Sequence, residues 1–464
     1  MKKILFCAVL TLFFSANLVF AAQPITLRQA LGYALRHNSN VESARELYRS
    51  SSYEAKSAMG LFLPRIDIVG AFAKLNEPIT LDLSPIRSAI IGASAAAYAG
   101  AGGASPADFQ QGLESSMPSF NKDLIDENVT RVFASIVQPI FTGFKVTANY
   151  KVKGLQRDAS RIIYQNERNQ IITLVIEDYF RIKFLEQVIQ IRKNYQDDID
   201  QHLENAKRLY KAGIINRVQV LKAMTAAANA EVDYKASLSD KEIALTLLSA
   251  DLGADASTLE LTDNLSILSG FQDLDYYLLR LEDNGSLALL NIQEESFKQK
   301  HKVSIGNTLP TISAVGQYQI LKDELSALEP EWFLGITATL NLFAGGQDYY
   351  GIKSSEVQVK AAQAQIEDVK KRLAAAVRKF YYQCQTAKDQ YESLKVSISY
   401  ANESLKLART AFRAGTATSL EVIDAQMVLQ KAQTDQAKAI FDFNGAFANL
   451  LHLCNLSEAS FRQQ

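Results

Sequence analysis

The side chains best placed for chemistry are two acids near the carboxyl-terminal end, Glu421 and Asp424, in the stretch "AFRAGTATSLEVIDAQ" (411–426). Three residues apart on a helix, they share a face. Paired carboxylates suit acid–base work, metal binding or the gathering of cations, yet nothing near them completes an enzyme centre. The histidines, His37, His202, His301 and His452, are scattered along the chain without metal-ligand spacing. Neither a glycine-rich phosphate loop nor a nucleophile elbow occurs. Asp197, Asp198 and Asp200 in "QDDIDQH" (196–202) flank the apolar seam of a helix, where a solvated face accounts for them. Cys384 and Cys454 are expected as buried free thiols, because the helices that carry them place them at heights too different for a disulfide. No catalytic residue, cofactor or metal is expected.

The elements that position the acids are a helix end, a turn and a new helix. Gly213 and Gly415 each stop a helix, where a residue of positive φ is commonly needed. The next helices open with "NRVQ" (216–219) and "TSLE" (418–421), and both fit a capping box: Asn216 or Thr418 as N-cap, Gln219 or Glu421 reaching back from three residues on. Glu421 therefore has a structural use. Asp424 has none of that kind, and its counterpart in the earlier turn is Lys222.

Those two turns belong to an internal duplication. A shift of 202 superposes "LYKAG" (209–213) on "AFRAG" (411–415) and "QPIFTGF" (138–144) on "LNLFAGG" (340–346). An apolar seam runs Cys384, Ala387, Tyr391, Leu394, Ile398, Ala401, Leu405, Ala408, Phe412 in alternating steps of three and four, the mark of a left-handed coiled coil. Prolines are missing from 140–309 and 331–464, so very long helices are permitted; we expect them over about 145–211 and 347–413. Shorter return helices are expected over 217–252, 275–305, 419–453 and 27–60. Strands are expected over about 65–75, 129–139, 311–320 and 332–342, each bounded by Pro, Gly or Asn. In the last of them Trp332, Leu334, Ile336 and Ala338 alternate with Phe333, Gly335, Thr337 and Thr339. Ten or so residues suffice to span a membrane as a tilted strand, and four isolated strands cannot close a barrel, so other subunits must satisfy their edges. Three copies would supply twelve strands. The first repeat carries extra residues between 76 and 128, rich in Ala, Gly and Ser, expected to form a flexible or partly helical surface loop.

The domain order that follows is a leader at 1–21, a first repeat at 22–253, a linker at 254–274 and a second repeat at 275–464. The leader, "MKKILFCAVLTLFFSANLVFAAQ", has two lysines, an apolar run and small residues, the layout of a cleaved secretory signal peptide. A net charge of −1 gives no basic excess, which sets nucleic acid aside as a partner.

Signal peptide, duplicated strand-loop-strand and long-helix hairpin, "QPIF" and "NLFAGG" closing the strands, and "FRAGTATSLEVIDAQ" at the second turn together resemble the TolC-type outer membrane efflux proteins. The resemblance implies a mainly α protein with a membrane β-barrel: a homotrimer whose α-barrel lies below a twelve-stranded β-barrel, four strands per chain. It implies a passive exit duct in the cell outer membrane, extending into the periplasm, of a tripartite efflux or secretion system. Its partners would be outer membrane lipid, a periplasmic adaptor (membrane fusion protein) and an inner-membrane transporter. It places Glu421 and Asp424 at a periplasmic constriction, Gln219, Lys222, Phe412 and Ala417 in a gate region, and Gly213, Asn216, Gly415 and Thr416 at adaptor-docking tips. Where a well-known member pairs an aspartate with an arginine across the tips, this chain has Gln219 and Ala417, and Phe412 stands in place of a gate tyrosine. The alternative is a periplasmic coiled-coil scaffold without a membrane pore, in which the strands would be half-buried.

Overall fold

The computed structural model describes residues 23–102, 105–253, 259–322 and 329–458, so the expected signal peptide lies outside the described residues. The chain divides into two units: one of residues up to 52, 155–295 and 360 onward, the other of 53–154 and 296–359.

The second unit is built on a four-stranded antiparallel sheet. Its strands are β2 (Arg65–Lys74), β5 (Asn128–Phe141), β7 (Thr311–Gln319) and β8 (Trp332–Thr339), in the order β2-β5-β7-β8. Register carries one face across all four: Ile66 pairs with Ile136, Ile136 with Gly316, and Gly316 with Leu334. Paired residues point the same way, so Ile66, Ile68, Phe72, Leu334 and Ile336 share an apolar face, each 69–75% exposed. Gly316 makes that face close-packed; a Cβ there would meet Ile136 Cγ2 at 2.9 Å and Leu334 Cδ1 at 3.3 Å. The opposite face is mixed: it carries Arg65, Asp67, Ser135, Gln317 and Thr337 together with Val69, Phe133, Val137, Val315 and Phe333. Among the described residues the outer edges of β2 and β8 are unpaired.

The insertion between β2 and β5 holds two short strands and two helices. β3 (Ile79–Leu81) pairs with β4 (Lys122–Ile125), and between them stand α3 (Ser84–Gly100) and α4 (Pro106–Ser116). Arg87 donates to the carbonyls of Glu114, Met117 and Pro118, closing the carboxyl end of α4, and Tyr98 stacks on Phe109 at 4.3 Å.

The first unit holds the helical core. α5 (Lys145–Lys211) and α9 (Gln347–Arg413), 67 residues each, have the expected bounds within the proline-free stretches. α6 (Arg217–Leu252) and α10 (Ser419–Leu453) follow them. Every residue of the seam from Cys384 to Phe412 is buried or half-buried. The main cluster gathers Leu31, Val175, Ile176, Tyr179, Leu248, Tyr277, Cys384, Phe443, Phe447 and Cys454; both cysteines are buried and free. A short parallel pair, β1 (Gln23–Ile25) with β6 (Leu259–Leu261), borders it.

Two expected helices are broken. The segment 27–60 divides into α1 (Leu27–His37) and α2 (Ser39–Ser57), followed by a 3-10 turn; the segment 275–305 divides into α7 (Leu274–Leu278), a 3-10 turn and α8 (Gly285–Gly306). The cause is the same in both repeats. Asn38 Oδ1 accepts from the N–H groups of Asn40 and Val41 while its Nδ2 donates to the carbonyl of Asp251. Asn284 does likewise with Ser286, Leu287 and Leu453. Each asparagine starts one helix and ties off the end of another, a gain that outweighs helical continuity.

Candidate gate at the hairpin ends

The two turns are built alike. Gly213 and Gly415 take φ of +72° and +77°, a region that costs a residue with a Cβ but not glycine. The N–H of Ile214 reaches the carbonyl of Leu209 (2.9 Å) and that of Thr416 reaches Ala411 (3.0 Å), satisfying the last carbonyls of α5 and α9. Gly213, Asn216, Gly415 and Thr416, the expected docking residues, are all exposed.

The helix starts differ. At α10 the capping box is complete: Thr418 Oγ1 accepts from the Glu421 N–H (3.3 Å), and Glu421 Oε1 accepts from the N–H (3.4 Å) and hydroxyl (3.0 Å) of Thr418. At α6 only half of it forms. Asn216 Oδ1 accepts from the Gln219 N–H (3.2 Å), but the Gln219 side chain does not return to Asn216 as its spacing predicts. It crosses to the other hairpin, where Gln219 Oε1 accepts from the Ser419 N–H at 2.6 Å. Ser419 is the first residue of α10, and its N–H has no partner within its own helix. Gln219 supplies one from two hundred residues away.

Ser419 is buried, and its hydroxyl shares a 2.6 Å hydrogen bond with His202 Nε2 of α5. The His202 ring lies 4.6 Å from that of Phe412. Burial, and secondarily the Arg409 guanidinium, lower the His202 pKa to about 4, so the ring is neutral at pH 7. Arg409 pairs with Asp198 at 2.8 Å. Phe412 is the centre of a small core with Ala206, Ala223, Leu405 and Val422, against which Ala417 packs half-buried.

Of the expected gate residues, Gln219, Phe412 and Ala417 thus converge around Ser419, whereas Lys222 is exposed. Glu421 and Asp424 are exposed as well, and Asp424 lies within electrostatic reach of Tyr195, whose phenol pKa is raised by burial first and by Asp233 and Asp424 after it. Sequence reasoning passed over His202 and Ser419. The available signal was position: the shift of 202 carries the seam residues Ala401 and Ala408 onto Ile199 and Ala206, and a polar ring between those two is buried and needs a partner.

The family profile described as outer membrane efflux protein matches residues 30–254 and 279–455. The chain is 20% identical over 331 residues to the alkaline protease secretion protein AprF of Pseudomonas aeruginosa, covering 68% of this chain and 67% of that one. It is 21% identical over 353 residues to the outer membrane protein TolC of Escherichia coli, covering 69% and 68%. Among solved structures, the outer membrane protein VceC of Vibrio cholerae superposes with a TM-score of 0.75 at 15% identity, over 92% of this chain and 96% of that one. The CmeC outer membrane channel of Campylobacter jejuni does so with 0.72 at 12% identity, over 93% and 86%. The fold is therefore shared well beyond the reach of sequence identity, and the chain belongs to the outer membrane efflux protein family.

Proposed function

We infer that this chain is the outer-membrane exit duct of a tripartite efflux or secretion system, a passive, non-enzymatic channel. The observation that carries the reading is the sheet, which turns one apolar face outward over all four strands and ends in two unpaired edges. A soluble protein rarely exposes so large an apolar patch, and hydrocarbon tolerates no open edge. A scaffold without a pore accounts for neither.

Closing the edges takes further copies, and we read the assembly as a homotrimer with a twelve-stranded barrel. The hairpin ends, with exposed Gly213, Asn216, Gly415 and Thr416, are where a periplasmic adaptor docks to couple the duct to an inner-membrane transporter. AprF is named for the secretion of a protease and CmeC as an outer membrane channel, and the duct reading is compatible with either efflux or secretion. Glu421 and Asp424 supply negative charge at its constriction.

The test is purification in mild detergent, mass measurement and planar-bilayer recording, together with photocrosslinkers at Thr416 and Asn216 in cells. A conducting trimer whose hairpin ends capture an adaptor is expected. A monomer of intact β content that conducts no current sinks the duct, and hairpin ends that capture nothing sink the docking assignment.

A further inference from the structure

Near their ends the two hairpins of one chain share a small apolar core, and beside it a buried serine is hydrogen-bonded across them. Ser419 offers its N–H to Gln219 on α6 at 2.6 Å and its hydroxyl to His202 on α5 at 2.6 Å, so the start of α10 is held by two side chains of the first repeat. The counterpart of Ser419 in the first repeat is Arg217, which is exposed, so the arrangement is not a by-product of the duplication.

We propose that Ser419 is the clasp between the two hairpin ends and that protonation of His202 releases it. The proposal rests on the duct reading in one respect, that the clasped ends belong to the periplasmic mouth.

The surroundings make the ring the sensitive member. One turn back on α5, Asp198 pairs with Arg409 of α9 at 2.8 Å. Arg409 is the one charge that acts on the ring appreciably, and it opposes a second positive charge. α10 presents Ser419 and keeps Glu421 and Asp424 exposed, Glu421 inside the Thr418 cap. α6 presents uncharged Gln219, while Arg217 and Lys222 are exposed. Phe412 covers the ring from α9. An imidazolium formed here is buried beside an aromatic ring and a guanidinium, and the carboxylate one turn away, Asp198, is already engaged by Arg409.

The direction of the effect follows from which state binds the proton more tightly. Above pH 6.5 the ring is neutral whether the clasp is closed or open. As pH falls below that value the solvated ring of the open state protonates first, while the clasped ring resists to about 4. The closed state loses ground through that interval, by roughly tenfold or more at pH 5.

Hydrogen–deuterium exchange of the full chain in detergent, corrected for the intrinsic pH dependence of exchange, reads the clasp directly in the amides of residues 416–424. The unmodified protein should open at least tenfold more at pH 5 than at pH 7.5. His202→Gln keeps a neutral donor at the Nε2 position; it should stay protected at pH 7.5 and lose the acid response. Ser419→Ala keeps the N–H for Gln219 but removes the hydroxyl, and should open at pH 7.5 as the unmodified chain does at pH 5. No acid step in the unmodified protein, or the same step in both variants, overturns the clasp. Bilayer recordings on the same samples separate the two readings: an acid-opened turn without conductance at any pH sinks the duct and supports the clasp, and conductance without an acid-opened turn does the reverse.

Discussion

Glu421 and Asp424 look equivalent in sequence and are not so in the structure. Glu421 spends its carboxylate on the N–H and hydroxyl of Thr418, whereas Asp424 has no hydrogen bond or ion pair among the described residues. Its negative charge at the first turns of α10 is tolerated by the helix dipole, but no local contact requires it. The two acids can therefore be separated. Asp424→Asn should leave the stability of the assembly unchanged and lower the cation preference of the channel in bilayers. Glu421→Gln retains the reach of the box and should lower it further, so that the double variant is a stable trimer with most of its cation preference lost. Selectivity unchanged in a folded double variant would make both acids helix-start residues only, and the constriction would lie elsewhere. At this scale the sequence was half legible. A capping box is local, so Thr418 and Glu421 could be found by spacing. Gln219 obeys the same spacing and does something else, because Ser419 outbids Asn216 for its carbonyl and no window of a few residues contains both.

Elements were easier to read than their breaks. The seam of α9, the proline-free stretches and the stops at Gly213 and Gly415 made both long helices legible, since periodicity and breakers are local properties. The breaks at Asn38 and Asn284 were invisible for the opposite reason: each asparagine is worth most through a carbonyl at Asp251 or Leu453, far off in sequence. The insertion teaches the same lesson. Its Ala, Gly and Ser suggested a flexible or partly helical loop without saying what holds it, and one of the contacts that do is Arg87, whose acceptors lie about thirty residues on. Its ends meet, with the Ser84 hydroxyl 3.2 Å from Asn121 Oδ1, and β3 and β4 pair just beyond them. Deleting residues 84–120 should therefore leave a short hairpin on β2 and β5, at little cost because loop-closure entropy changes slowly with length. Size-exclusion mass and circular dichroism of the deletion variant should match the full chain. Loss of the assembled state would show the module to be a structural joint; loss of transport with assembly intact would give it a role in passage.

At the scale of the whole molecule the alternation in β8 predicted a sheet with two unlike faces, and register across four strands makes that pattern a surface. Leu334 and Ile336 lie on the side that also carries Ile66, Ile68 and Phe72, and Thr337 lies on the other with Ser313. What one chain could not reveal by pattern is closure, because the partners of β2 and β8 are edges rather than side chains. The lipid assignment of the apolar face can nonetheless be tested one residue at a time. An arginine on the lipid side of a barrel near the bilayer midplane costs about 2–4 kcal/mol, and a lumen-facing one costs little. Leu334→Arg should accordingly reduce the fraction of folded, membrane-inserted assembly by an order of magnitude or more. Thr337→Arg, three residues along the same strand, should insert normally and change conductance or ion preference instead. The two variants add the same charge to the same strand, so a difference between them reports the face and not the charge. Equal insertion of both would remove the lipid assignment, and with it the main ground for a pore; equal loss of both would place the two faces of the sheet in one environment and leave no lumen between them.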